Sequence, residues 1–130
     1  HIVELQDLEA VSAAMIDSAA LKTHLCKEKL QDIYLFCRQG ANADLRARMF
    51  APVQGIPEDP ATGSAASALV GTLAQQLDGQ GVQTLTIEQG VEMGRPSYIY
   101  TDVHYDSSEI EAVYVAGQAV VMSEGKFRLP

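Results

Sequence analysis

The clearest hydrophobic pattern in the chain is the alternation at residues 45–50, which has the period of two expected of a β-strand. Leu45, Ala47 and Met49 share one face of this strand. Apolar runs at residues 2–5 and 33–37 are rich in strand formers and predict two further strands. Later strand-like runs are found at residues 84–88, 97–102, 112–116 and 119–123. Because the turns between consecutive runs are too short for parallel crossovers, the sheet is predicted to be mostly antiparallel.

Two segments have helical patterns. The first is amphipathic, with Ser18 as its cap and with Leu21, Leu25 and Leu30 along one side. The second covers residues 62–77, and its apolar residues are spread around most of the helix, which predicts burial on nearly all sides. Its many small residues allow other backbone to approach closely. The patterns therefore predict an α+β fold in which a curled sheet wraps around this central buried helix.

Length, composition and charge restrict the classes of function. With 130 residues, 47% of them hydrophobic, the chain can bury one core and is predicted to form a single domain. No apolar run approaches the ~20 residues that a membrane span needs. A formal charge of -8 would repel nucleic acids and anionic membranes, so neither is an expected partner. A small anion can still bind, because a helix N-terminus sets the local field inside a pocket.

The cysteines and histidines lack the spacing of a metal site. Cys26 and Cys37 are predicted to be buried thiols of a protein in the reducing cytoplasm. His24 lies two residues from Cys26, which is not a ligand spacing, and His104 has no ligand-spaced neighbour. No metal site is predicted.

The candidate functional centre is the turn that leads into the second helix. Three prolines and Gly55 stiffen residues 52–60 and hold the side chains of Glu58 and Asp59 in a restricted geometry. Such rigid placement suits a binding or catalytic site, although the same turn would also serve as a well-made helix start.

The first turn of that helix is predicted to offer unpaired backbone N–H groups around Thr62, Gly63, Ser64 and Ala65, where a carboxylate or phosphate oxygen can bind. The alternative is that Asp59 or Thr62 accepts from these N–H groups as a simple cap. The residues alone leave both interpretations open. Ser64 is not predicted to be an acylated nucleophile, because no histidine is placed for that role.

Three groups of residues resemble, in this order, the motifs of the phenazine-biosynthesis PhzF-like isomerase family: residues 48–52 with 55–65, residues 89–97, and residues 115–125. The resemblance implies the diaminopimelate-epimerase-like fold, in which two similar domains each wrap a sheet around a helix and share one active site. The chain would be the C-terminal domain, residues 1–130, without its N-terminal partner domain. This interpretation would also account for a start at His1 rather than Met.

The resemblance further implies a cofactor-independent isomerisation or epimerisation of a small carboxylic acid by proton transfer. The principal acid/base would be a Glu of the N-terminal domain, so the chain alone is expected to be inactive. By motif, Asp59 would be the catalytic residue that positions or polarises the substrate, and Gly63 and Ser64 would bind its carboxylate through backbone N–H groups. Arg95 would lie either near the site or in a structural ion pair.

A non-enzymatic alternative is a carboxylate-binding or assembly module. The face that the N-terminal domain would cover is expected to be apolar and to promote association. We therefore expect either that domain or a second copy of the chain as partner, and a homodimer in the second case.

Overall fold

The structure is a computed structural model that describes residues 1–76 and 79–129. Its elements are β1 (Ile2–Glu4), α1 (Leu8–Ala13), α2 (Ser18–Lys27), β2 (Ile33–Cys37), β3 (Leu45–Ala51), a 3-10 turn (Pro52–Gln54), β4 (Ile56–Asp59), α3 (Gly63–Ala74), β5 (Val82–Gln89), β6 (Ser97–Asp106) and β7 (Glu109–Ala116).

Within these two stretches, seven strands form one mixed sheet. The strand order is β1-β2-β3-β5-β6-β7, and β4 pairs with β3 outside this order. The β1–β2 and β3–β5 pairs are parallel, and the other four pairs are antiparallel. The parallel β3–β5 pair is possible because β4 and α3 form a long connection between them. The predicted α+β class with a mostly antiparallel sheet is therefore confirmed, and the sheet remains open.

The main core lies between α3 and one face of the sheet. The predicted inward face of β3, formed by Leu45, Ala47 and Met49, belongs to this core. Five residues of α3 are buried against the sheet: Ala66, Leu69, Val70, Leu73 and Ala74. The prediction of a central buried helix packed on a sheet is thus confirmed, and it positions the start of α3 beside the strand ends.

The stronger prediction, that this helix is buried on nearly all sides, is wrong. Ser64, Ala68 and Thr72 are exposed, and their spacing of four places them in one stripe along the helix. The open sheet covers only one side of α3. Helix α3 ends at Ala74, whereas the predicted end, Leu77, lies outside the described residues.

The opposite face of β3 is also covered, so all seven residues of this strand are buried. Helix α1, which the sequence patterns did not predict, contacts β2 and β3 on this side. Arg48 connects β3 to β4 and to the C-terminal end of α1. Its guanidinium donates to Glu58 at 2.8 and 3.0 Å and to the carbonyl oxygens of Val11 and Ala14 at 3.1 and 2.8 Å. The segment of Glu58, predicted as a loop, is therefore held as strand β4 against β3.

The predicted amphipathic helix is present as α2, but its cap is Asp17 rather than Ser18, so it begins one residue earlier than predicted. Asp17 Oδ1 accepts from the N–H groups of Ala19 and Ala20, both at 3.0 Å, because a carboxylate at this position reaches two free donors of the first turn. Within α2, Leu25 is buried as expected.

The cysteine prediction holds for one residue only, since Cys37 is buried and Cys26 is exposed. Cys26 follows the buried Leu25 and is rotated by about 100° around the helix, away from the buried side.

The strand predicted at residues 119–123 is absent: residues 117–129 contain no helix or strand and are exposed. A strand requires a neighbour for its backbone N–H and C=O groups, and no described strand pairs with this segment. The apolar run at these residues was therefore not sufficient to form a strand. Among the residues that the structure describes, no helix is long and apolar enough to cross a membrane.

The buried ion pair of Arg48 generates a stability prediction. Arg48→Met leaves the carboxylate of Glu58 partly buried without its partner, so the free energy of unfolding should fall by roughly 2–4 kcal/mol. The matched control is Arg38→Met, because the Arg38–Glu4 pair is about half exposed and its loss should cost less than about 1 kcal/mol. Urea unfolding of both variants measures the difference, and equal losses would contradict this role of Arg48.

Candidate active site

Asp59 is the last residue of β4 and pairs with Met49 in the centre of β3. The chain then turns through three residues and enters α3 at Gly63. The turn is closed by Thr62, whose hydroxyl donates to Asp59 Oδ2 at 2.6 Å. The predicted site residues Asp59, Gly63 and Ser64 therefore lie at one strand-to-helix turn, next to the end of β5.

A buried amide holds this turn in place. Gln89, the last residue of β5, has no exposed surface. Its Nε2 donates to the carbonyl oxygen of Asp59 at 2.7 Å and to Thr62 Oγ1 at 3.0 Å. Its Oε1 accepts from the Tyr34 hydroxyl at 2.9 Å and from the Thr62 N–H at 3.3 Å. Both N–H groups and the oxygen of the amide are thus satisfied, as a buried amide requires.

Tyr34 forms the far end of this network, on β2. Burial of its side chain raises the pKa of the Tyr34 phenol well above its usual value, and the negative charge of Asp59 raises it further. The hydroxyl therefore stays protonated and donates to Gln89. Gln89 belongs to a recognised motif but was given no role from the sequence. Polar residues are frequent along β5, so no pattern in this strand distinguished Gln89.

The start of α3 is not capped by a side chain. Thr62 occupies the cap position without making a capping hydrogen bond, because its hydroxyl is directed to Asp59. Asp59 in turn accepts from that hydroxyl and not from the helix. Neither of the two capping interpretations therefore applies. By contrast, α1 and α2 are capped by Asp7 and Asp17.

The prediction of an unpaired N–H is wrong for Thr62, whose N–H donates to Gln89 Oε1. The backbone N–H groups of Gly63 and Ser64 have no acceptor among the residues that the structure describes. Both residues are exposed. Free N–H groups at the start of a twelve-residue helix carry partial positive charge and can hold a carboxylate or phosphate oxygen. Anion binding is the chemistry that this end of α3 can perform.

Two clefts adjoin the turn. The larger has a volume of 420 Å³ and is bounded by Ser64 and by the exposed stripe of α3 on one side, and by Tyr34 and Met49 of the sheet on the other. The second, of 310 Å³, contacts Ala61 and the segment 96–99. A small ligand in the larger cleft can therefore reach the helix start at Ser64, whereas the second cleft adjoins the turn at Ala61.

The segment that follows Gln89 packs against the turn that precedes α3. Gly90 has a φ of +79°, and a side chain there would collide with the backbone of Pro60 and Arg95, so only glycine fits.

Arg95 is exposed, and it takes part in none of the ion pairs of the described residues. The structural ion pair, which is one of the two roles expected of Arg95, is therefore not observed. No three His, Cys, Asp or Glu side chains converge as metal ligands within residues 1–76 and 79–129.

Comparison with known proteins gives one family. Residues 1–125 match the family model PhzC-PhzF, described as phenazine biosynthesis-like protein. Over 124 residues the chain is 38% identical to the trans-2,3-dihydro-3-hydroxyanthranilate isomerase of Pseudomonas aeruginosa, covering 95% of this chain and 42% of that protein. It is 32% identical over 130 residues to an uncharacterized isomerase of Mesorhizobium japonicum, covering 95% of this chain and 43% of that protein. The chain thus spans less than half the length of these relatives.

Solved structures share the fold. A phenazine biosynthesis protein of the PhzF family from Bacillus anthracis superposes with a TM-score of 0.74 at 22% identity, covering 88% of this chain and 40% of that one. A putative phenazine biosynthesis PhzC/PhzF protein from Clostridium difficile gives a TM-score of 0.75 at 24% identity, covering 98% of this chain and 44% of that one. The diaminopimelate-epimerase-like arrangement of sheet and helix expected from the motifs is confirmed.

The raised pKa of Tyr34 predicts a pH dependence. Because the folded state keeps the Tyr34 proton that the unfolded chain releases above about pH 10, its contribution to stability is complete below pH 10 and is lost as the pH rises. Above pH 10 this contribution to the free energy of unfolding falls with a slope that approaches about 1.4 kcal/mol per pH unit. Urea unfolding between pH 9 and 11 should show a shallower fall in Tyr34→Phe than in the wild type. The control, Tyr114→Phe, removes an exposed phenol and should retain the wild-type slope. Identical slopes in all three proteins would contradict the burial of Tyr34.

Proposed function

The chain belongs to the PhzC-PhzF phenazine biosynthesis-like family, and on this basis we propose that it forms part of an isomerase or epimerase that moves a proton on a small carboxylic acid. Its relatives with a named activity are isomerases, and the name of the Pseudomonas aeruginosa relative specifies a carboxylic acid as substrate. The proposal assigns this chain one part of the active site.

The observation that carries the proposal is the uncapped start of α3 beside Asp59. In our proposal the substrate carboxylate binds to the N–H groups of Gly63 and Ser64, where the helix supplies two donors and a favourable field. These two residues are exposed, and Ser64 lines a cleft of suitable size for a small acid. Binding at this point would place the remainder of the substrate next to Asp59.

Asp59 has the catalytic position in this proposal. Its Oδ2 is occupied by the Thr62 hydroxyl, and Oδ1 accepts no hydrogen bond from the residues that the structure describes. A free carboxylate oxygen of fixed direction can position or polarise a substrate while a proton is removed. The principal acid/base is proposed to be a Glu outside these 130 residues, and the reaction is proposed to use neither cofactor nor metal.

We also propose that the chain functions in contact with another part of the same protein or with a second copy, in the cytoplasm. The exposed stripe of α3 and five large apolar side chains near the C-terminus favour association: Val120, Val121, Met122, Phe127 and Leu129. A non-catalytic carboxylate-binding or homodimerising module uses the same features. The two functions differ in whether a proton is exchanged.

The role of Asp59 can be tested in the full-length natural gene product. In deuterated water, NMR should detect deuterium entering candidate acids, beginning with trans-2,3-dihydro-3-hydroxyanthranilate. Asp59→Asn should lower the rate roughly 100-fold or more, since it removes the charge of a positioned carboxylate in the active site. The control Asp102→Asn makes the same change on β6, where Asp102 accepts only from Thr84 among the described residues, and should leave the rate unchanged.

An Asp59→Asn protein with the wild-type rate would refute the catalytic position of Asp59. Absence of exchange into every candidate acid by a wild-type protein that binds them would favour the non-catalytic module.

A further inference from the structure

We propose that Tyr34, Gln89 and Thr62 form a positioning relay that fixes the direction of the Asp59 carboxylate. The relay runs from the Tyr34 hydroxyl through the Gln89 amide and the Thr62 hydroxyl to Asp59 Oδ2. The inference rests on the proposed function of Asp59 and extends it to three residues to which the family resemblance gave no role.

The amide of Gln89 can adopt only one orientation. If its oxygen and nitrogen were exchanged, Nε2 would face the N–H of Thr62 and Oε1 would face the carbonyl oxygen of Asp59. Each contact would then join two donors or two acceptors at the positions where hydrogen bonds of 3.3 and 2.7 Å now lie. Because Gln89 is fully buried, water cannot relieve such contacts, so the exchanged orientation is excluded.

This orientation determines the direction of the remaining bonds. With both N–H groups of Gln89 in use, the Tyr34 hydroxyl donates to Oε1. The Thr62 hydroxyl accepts from Nε2 and therefore has its own hydrogen free for Asp59 Oδ2, at 2.6 Å. One oxygen of the Asp59 carboxylate is thus always an acceptor from Thr62. The other oxygen is left for the substrate.

The relay also fixes Asp59 relative to the rest of the sheet. Tyr34 lies on β2, Gln89 at the end of β5, and Asp59 at the end of β4. The bonded residues therefore connect strands on both sides of β3 to the turn before α3. Tyr34 additionally lines the 420 Å³ cleft, so this end of the relay lies at the wall of the cleft that Ser64 also lines.

The test uses conservative variants of the full-length natural gene product with matched controls. Thr62→Val and Tyr34→Phe each remove one hydroxyl from the relay. Thr101→Val and Tyr105→Phe each remove a hydroxyl of similar surroundings elsewhere, bonded to the Leu85 carbonyl oxygen and to Gln83.

Rates of deuterium exchange into trans-2,3-dihydro-3-hydroxyanthranilate, and thermal midpoints, are measured for all four variants. The relay variants should lose roughly 10- to 100-fold in kcat, with KM changed less than about threefold, because the carboxylate is misdirected. The controls should have similar losses of thermal midpoint but the wild-type kcat.

Three further comparisons separate positioning from general stability. Thr62→Ser restores the hydroxyl and should recover kcat. The double variant Tyr34→Phe/Thr62→Val should lose less than the product of the two single losses, since both act through one path. Crystal structures should show Asp59 displaced or in two rotamers in Thr62→Val, but unchanged in Thr101→Val. This last measurement does not depend on turnover.

The relay is refuted if the controls lose as much kcat as the relay variants, if Thr62→Ser does not recover it, or if Asp59 keeps its single rotamer in Thr62→Val. Measuring Asp59→Asn alongside distinguishes the two proposals. If Asp59→Asn is inactive while both relay variants have the wild-type kcat, only the relay is refuted. If Asp59→Asn itself has the wild-type rate, the proposed role of Asp59 is refuted and the relay with it.

Discussion

The buried amide of Gln89 is the interaction on which the geometry of the site depends. A side chain without exposed surface must find protein partners for its donors and acceptors, and Gln89 finds them in Tyr34, Asp59 and Thr62. This requirement engages the hydroxyl of Thr62, which would otherwise be available to cap α3. The network that orders the turn therefore also leaves the first N–H groups of the helix open to a ligand.

The two faces of the sheet contribute differently to this arrangement. On one face, apolar side chains of β3 and β5 pack against α3 and place its start. On the other face, buried charges connect the same strands. Arg46 binds Glu88 at 2.7 Å and Glu92 at 2.9 Å, and Arg48 binds Glu58, the residue before Asp59. Specific ion pairs on one side and close packing on the other thus restrain the strands that hold Asp59, Thr62 and Gln89.

Much of this architecture follows from local patterns in the sequence. The alternation at residues 45–50 reflects the two covered faces of β3, and the small and apolar residues of α3 reflect its packing on the sheet. The motif placed Asp59, Gly63 and Ser64 at one turn. Three features depended on tertiary partners and were not predictable from spacing: the exposed stripe of α3, the missing strand at 119–123, and the role of Gln89. Helix α1 was missed because six residues are too few for a clear helical period.

The central claim is that the start of α3 binds the carboxylate of a small ligand, and backbone amide NMR tests it most directly. In the full-length natural gene product, titration with anthranilate should shift the amide signals of Gly63 and Ser64 in a saturable manner. The amides of Ala19 and Ala20, at a helix start already capped by Asp17, should not move. Unchanged signals at Gly63 and Ser64, or equal shifts at Ala19 and Ala20, would contradict the account.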